Sequence, residues 1–282
     1  MRTILGAVIA LVVALGFSSA ASAVSGYAAL GDSVASGAGL SGEQAIECDR
    51  SPLAYPHIVA ASAGLSLTQL ACSGAKIDEG LYGSQDGITP QLDAAFSGGV
   101  PSLMTITIGA NDVRWTQFLR QCYYIKCGYS VDTARSAAYL ADLKLELNIL
   151  LAKIHQKSDG NPPRILVNGY YNPFSSGSCD EIQEITSREA SWISGRVSAM
   201  NRSISSTVSK YSYASYVPIS FRGHDLCSSD SWIQGLSASA PFHPTEEGQQ
   251  AIAQANLKKL EKLQSSRESS RSFRERALGL FD

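Results

Sequence analysis

The chain lacks several features that would point to other classes of protein. Its 282 residues contain no C-x-x-C pair and no H-x-x-x-H spacing, so the common ligand spacings of zinc sites are missing. It has no basic excess: 23 Lys and Arg stand against 25 Asp and Glu, a net charge of −2. Such a surface offers a polyanion little to bind, so no nucleic-acid partner is expected. Beyond the first residues, no apolar run is long enough to span a bilayer. No metal or other cofactor is expected.

The N-terminus reads as an export signal. Arg2 supplies a positive start, Ile4 to Phe17 is apolar, and Ala21-Ser22-Ala23 is a small-residue cleavage site. A retained anchor is the alternative, but the apolar stretch is short and wrongly flanked for one. Residues 1–23 are therefore expected to be removed, giving a secreted protein. Residues 24–264 suit one domain, and 265–282 form a Ser-, Arg- and Glu-rich segment that reads as a flexible charged tail. In that segment Phe273, Ala277, Leu280 and Phe281 have helical spacing, and with the nearby arginines they could rest on an anionic surface.

Six cysteines in an exported chain read as three disulfides. Sequence alone leaves the connectivity open. Loop closure favours neighbour pairing: Cys48 with Cys72, Cys122 with Cys127, and Cys179 with Cys227. Each of the longer two would stabilise by roughly 3 kcal/mol through the unfolded state. With no cysteine left over, a monomer is expected.

Strand-like and helix-like segments alternate. Tyr27–Leu30, Leu65–Leu70, Leu103–Ile108, Arg164–Asn168 and Tyr213–Ile219 read as strands, and Leu103–Ile108 is apolar enough to be buried on both faces. Between about Val131 and Gln156, Leu143, Leu147, Leu150 and Ile154 share one helical face. Thr186 with Glu189 forms a capping box before a helix running towards Lys210. Thr245, Glu246 and Glu247 open a last helix reaching about Leu263. This order predicts an α/β fold with a parallel sheet and a site at the carboxyl ends of its strands.

Four segments carry candidate chemistry. Ser33 follows the first strand in Gly31-Asp32-Ser33. It can expose its hydroxyl while its own N–H faces a bound oxyanion, or it can be an ordinary N-cap. Asp32 is the wrong partner for it, because adjacent residues point apart; bracing the turn suits it better. Asn111 follows the strongest strand in Gly109-Ala110-Asn111-Asp112, where its amide can donate to a developing negative oxygen or merely form a turn. Gly74 can offer a bare backbone N–H or simply turn the chain. His243 sits between Pro241 and Pro244, whose rigidity suits a positioned base. His57, His155 and His224 have weaker contexts.

These four segments, in this order, resemble the blocks of the GDSL or SGNH hydrolase family, over Tyr27 to about Leu257. The likeness is strongest to secreted actinobacterial lipases, esterases and phospholipases, whose pattern also resembles Phe221-Arg222-Gly223-His224-Asp225-Leu226-Cys227 and Ser231-Trp232-Ile233. The resemblance implies a flavodoxin-like α/β/α sandwich and three neighbour-order disulfides. It implies Ser33 as nucleophile and His243 as base then acid, with Ser33, Gly74 and Asn111 forming the oxyanion hole. The implied substrate is a lipid or other acyl ester, with transient contact to a lipid surface.

One position departs from the family pattern. Many members carry an aspartate three residues before the histidine; here that position is Ala240. Some relatives orient the histidine with a backbone carbonyl instead, and Ala240 or Pro241 is expected to supply it. The rival is a remote acid, Asp225 or Asp230. Two other readings stand beside the lipolytic one. One is a carbohydrate acetylesterase, with Tyr123, Tyr124, Tyr170 and Tyr171 as a sugar platform. The other is a non-catalytic binding protein on the same scaffold.

Overall fold

The computed structural model describes residues 26–42, 46–175, 177 and 182–278, with backbone alone at 46 and from 272 onward. The segment expected to be an export signal and Cys179 lie outside the described residues.

Five strands form one wholly parallel sheet in the order β2-β1-β3-β4-β5. They are β1 (Gly26–Gly31), β2 (Ser66–Gln69), β3 (Leu103–Thr107), β4 (Arg164–Asn168) and β5 (Ala214–Val217). All five lie within the expected strand segments or extend them by one residue at each end. This is the flavodoxin-like order, and its direction reverses between β1 and β3. Right-handed crossovers then place helices on both faces. On one side α2 (Tyr55–Ala63) packs against α7 (Glu246–Leu278), and on the other α5 (Ser130–Lys157) packs against α6 (Ser187–Val208). Three shorter α-helices lie among the described residues: α1 (Ser33–Ser36), α3 (Gln91–Phe96) and α4 (Trp115–Tyr124).

Every residue of β3 is buried, as expected of a strand covered on both faces. Its two threonines are buried polar groups and must be satisfied. Tyr27 Oη shares a hydrogen bond with Thr105 Oγ1 at 2.7 Å, and Tyr55 Oη shares one with Thr107 Oγ1 at 2.9 Å. Asn168 Nδ2 donates to Thr107 Oγ1 at 3.0 Å. On α5, Leu143, Leu147, Leu150 and Ile154 all lie in the core, on the face their spacing predicts.

The capping box of α6 forms: Glu189 N donates to Thr186 Oγ1 at 3.4 Å, and Thr186 N donates to Glu189 Oε2 at 3.0 Å. Cys48–Cys72 and Cys122–Cys127 are disulfides, and Cys227 is disulfide-bonded as well. The last helix differs from expectation. It does not stop near Leu263 but runs through the charged segment to Leu278. That segment has no Gly or Pro before Gly279, and its serines bond back to carbonyls of the preceding turn, as Ser269 Oγ does to Ser265 O at 2.9 Å. Helices α2, α3 and α4 carry no strong sequence signal; α2 has proline in its first turn and no side-chain cap.

The α5 face supports the sheet directly. Leu147→Ala is expected to lower the free energy of unfolding by about 2–5 kcal/mol in urea titration, through lost burial and the cavity left behind. A loss below about 1 kcal/mol would show that α5 contributes little to the core.

Candidate active site

Ser33 is the first residue of α1, not its cap. Asp32 is the cap: its Oδ1 accepts from Val34 N at 3.0 Å, and its backbone N–H donates to Thr107 O at 2.9 Å. The strand-to-helix turn is tight because β1 ends on Gly31, at φ +142°. A Cβ there would lie 2.2 Å from Thr107 O, so only glycine permits this pairing of β1 with β3.

His243 reaches Ser33 from the other end of the chain. Its Nε2 lies 2.7 Å from Ser33 Oγ. Its Nδ1 faces the carbonyls of Ala240 at 3.3 Å and Pro241 at 3.1 Å. Carbonyls only accept, so Nδ1 carries the hydrogen and Nε2 is left to accept the Ser33 hydroxyl proton. Burial holds the His243 imidazole below its ordinary pKa, so the ring is neutral at neutral pH.

The loop carrying His243 is clamped from several sides. Phe242 N donates to Gln234 O at 2.9 Å, and Gln234 N donates to His243 O at 2.7 Å. The buried Gln234 side chain donates to Ala38 O and Pro244 O, each at 2.9 Å. Phe242 stands at φ +68°, a conformation costing roughly 1–3 kcal/mol for a residue with a Cβ. Tyr171 Oη holds it there by donating to Phe242 O at 2.6 Å.

Neither remote acid faces His243. Asp225 is buried and accepts from the Ser175 hydroxyl and from Cys227 N at 3.1 Å. Asp230 is exposed, and its Oδ2 lies 3.1 Å from His224 Nδ1.

Of the remaining predicted groups, Asn111 shares a cleft with Ser33, and Gly74 follows Ser73, which lines that cleft. Asn111 follows β3 and lines the same cleft as Ser33 and His243. Its Nδ2 donates to Ala75 O at 2.9 Å, leaving the second amide hydrogen to point elsewhere. Gly74 lies one residue before Ala75, at φ +82°, in the turn that Cys48–Cys72 ties down. Neither the Ser33 nor the Gly74 backbone N–H has a hydrogen-bond partner among the described residues.

Two tyrosines proposed as a sugar platform have other work. Tyr170 and Tyr171 are only 6% and 7% exposed, too buried to present ring faces to a glycan. Tyr170 Oη donates to Asp32 Oδ2 and accepts from Ala110 N at 3.2 Å. It thereby links the Ser33 turn to the Asn111 turn. Tyr123 and Tyr124 do line the cleft. Tyr170, Tyr171 and Gln234 are the functional positions that the linear pattern does not reveal, since each acts through a contact made only in the folded chain.

The cleft above Ser33 holds about 950 Å³. Away from the polar groups its walls are Trp115, Leu119, Val197, Met200, Leu236 and Phe242. Parallel-sheet architecture, a serine hydrogen-bonded to a half-buried neutral histidine at the β1/β3 reversal, and an apolar cleft are together suited to acyl transfer.

Known proteins define the class. Lipase 1 of Streptomyces coelicolor is 29% identical over 237 residues, covering 80% of this chain and 83% of that protein. The crystal structure of an extracellular lipase from Streptomyces rimosus matches with a TM-score of 0.70 at 27% identity, covering 83% of this chain and 99% of that one. Phospholipase A1 from Streptomyces albidoflavus NA297 matches with a TM-score of 0.65 at 26% identity, covering 84% and 99%. The protein is a carboxylic ester hydrolase with an α/β fold. Residues 29–251 match the GDSL-like lipase/acylhydrolase family, and the chain belongs to it.

Asp32 makes a testable contribution to stability. Its burial pushes the carboxyl up from the ordinary 3.8 to about 7, although hydrogen bonds from Tyr170 and Val34 pull it down. The folded state therefore holds a proton that the unfolded chain releases above pH 3.8, so stability falls as pH rises from about 4 through 7. Asp112, pushed by burial to about 6, acts in the same direction. Asp32→Asn keeps the cap and removes the larger effect. Its unfolding free energy is expected to fall less between about pH 4.5 and 8 than the wild type's, by on the order of 3 kcal/mol. Parallel pH profiles would contradict a buried, proton-retaining Asp32.

Proposed function

We propose that the chain is an exported lipolytic enzyme that cleaves fatty acyl esters through a Ser33 acyl-enzyme. The observation that carries this is the 2.7 Å Ser33–His243 contact at the base of an apolar cleft of about 950 Å³. His243 Nε2 takes the Ser33 proton as Oγ attacks the acyl carbonyl carbon. The resulting oxyanion faces the Ser33 and Gly74 N–H groups and the Asn111 amide. His243 then gives its proton to the leaving alcohol, and the ester C–O bond breaks. Water attacks the acyl-enzyme with His243 again as base; the carboxylic acid leaves and Ser33 recovers its proton.

The Ala240 and Pro241 carbonyls fix the histidine tautomer in place of a triad carboxylate. They cannot balance imidazolium charge as a carboxylate does, so more of the transition-state stabilisation falls to the oxyanion donors. Export follows from the signal-like first 23 residues and agrees with the extracellular lipase among the structural relatives. No helix among the described residues is long and apolar enough to cross a membrane. The enzyme is taken to act as a monomer.

The test is a panel of acetyl, mid-chain and long-chain esters plus a phospholipid, offered to the purified enzyme and to Ser33→Ala. Cleavage of mid- or long-chain esters is expected, with a loss of at least about 10³-fold in Ser33→Ala. Phospholipid cleavage would narrow the substrate class. Turnover of acetyl esters alone would replace the lipolytic reading with deacetylation.

A further inference from the structure

The largest apolar exposure among the described residues lies at the mouth of the cleft. Of six large hydrophobic side chains that stand exposed, four fall between positions 124 and 131. Tyr124 and Ile125 are each 74% exposed, Val131 66% and Tyr129 51%. Leaving such groups clustered in water is unfavourable, and clustered exposure of this kind marks an interaction surface.

The cluster is held in place before any partner arrives. The Cys122–Cys127 disulfide closes the turn after α4. Gln121 Nε2 donates to Lys126 O at 3.0 Å, and Cys127 N donates to the buried Glu189 Oε1 at 2.9 Å. Docking would therefore cost little ordering entropy.

The cluster is continuous with the active site. Arg120 and Tyr124 line the catalytic cleft and also a shallow depression beside it, which Ile125, Val131 and Arg135 share. A chain leaving an apolar phase at this rim would enter the cleft without crossing open water.

Its charge is opposite to that of the whole molecule. Between 114 and 135 the chain carries Arg114, Arg120, Lys126 and Arg135 against one acid, Asp132, while the protein has a net charge of −2. Asp132 is buried under Arg135, whose Nη2 lies 2.7 Å away. Glu189 is buried, with the half-exposed Lys126 Nζ 3.8 Å from its Oε2, and Glu184 stands beside Tyr123. Arg120 makes no ion pair or hydrogen bond among the described residues.

We propose that the 120–135 rim is a docking surface for an anionic phospholipid bilayer, with Ile125, Tyr124 and Val131 entering the interface and Arg120, Lys126 and Arg135 facing headgroup phosphates. The inference rests on the lipid-ester reading above, and its test separates the two. Binding to vesicles is measured by co-sedimentation with the Ser33→Ala protein from residue 24 onward, so that nothing is hydrolysed and the apolar leader cannot insert.

Vesicles containing phosphatidylglycerol are expected to bind it more tightly than pure phosphatidylcholine, and about 0.5 M salt should weaken that binding. Adding Ile125→Ser with Val131→Ser should weaken partitioning about tenfold or more. Lys126→Gln should weaken it about fivefold on anionic vesicles and hardly at all on neutral ones.

With Ser33 restored, Ile125→Ser/Val131→Ser should keep kcat/KM on a soluble short-chain ester within about twofold, while hydrolysis of vesicle lipid falls at least about tenfold. Hydrolysis of soluble esters without vesicle binding would overturn the docking surface alone. Equal binding by parent and variants would also overturn it. Vesicle binding by a protein that cleaves no ester would keep the surface and overturn the lipolytic reading.

Discussion

The Ser33–His243 hydrogen bond is the contact on which the arrangement turns, because it joins two ends of the chain 210 residues apart. No local preference brings those residues together. Ser33 is placed by the end of β1, and β1 is placed by pairing with β3 through a glycine that no larger residue could replace. His243 is placed by a loop whose backbone is bent against its own preference at Phe242 and held there by Tyr171 and Gln234. The strain at Phe242 is tolerated because three hydrogen bonds over-determine the loop. In return, the imidazole turns Nδ1 to the Ala240 and Pro241 carbonyls and Nε2 to Ser33.

Beneath that contact lies a layer of buried polar groups. Asp32, Tyr170, Thr107, Asn168, Gln91 and Gln249 are all buried under the site. Gln91 pairs with both the N–H and the carbonyl of Gly31, at 2.8 and 3.0 Å. Gln249 accepts from Tyr55 N and donates to Val34 O, each at 2.9 Å, closing the open ends of α2 and α1. A hydrocarbon layer here could not hold a four-residue helix whose first residue turns its hydroxyl towards His243. The buried Asp32 carboxyl is the clearest instance: it braces the turn and couples through Tyr170 to the Asn111 turn, at a cost in stability that grows towards neutral pH.

Much of this was legible in the linear chain. The apolar run of β3, the heptad-like face of α5 and the capping box of α6 each follow from local rules that tertiary packing did not override. Ser33, Gly74 and Asn111 could be picked out because their segments follow strands, His243 because prolines flank it before a helix, and all four because together they resemble one family's blocks. The positioning residues could not. Nothing in the spacing of Tyr170-Tyr171 separates two buried struts from two exposed rings, so the sugar-platform alternative named them alongside Tyr123 and Tyr124. Gln234 looks like any loop glutamine until Ala38 and Pro244 are brought beside it. The length of α7 was missed because serine-rich composition resembles a solvated tail, whereas arginine, glutamate and back-bonded serines sustain a helix here.

The central claim is that Ser33 is activated by His243 alone, with carbonyls and no acid behind it. The direct measurement is the rate at which a fluorophosphonate probe labels Ser33, read by peptide mass mapping, in the wild type, in His243→Ala and in Asp225→Asn/Asp230→Asn. The account predicts adduct on Ser33 in the wild type, labelling slowed by at least about 10³-fold in His243→Ala, and near wild-type labelling in the double asparagine variant. A wild type that leaves Ser33 unlabelled would contradict the nucleophile. A folded double variant slowed as much as His243→Ala would contradict the carbonyl-backed dyad.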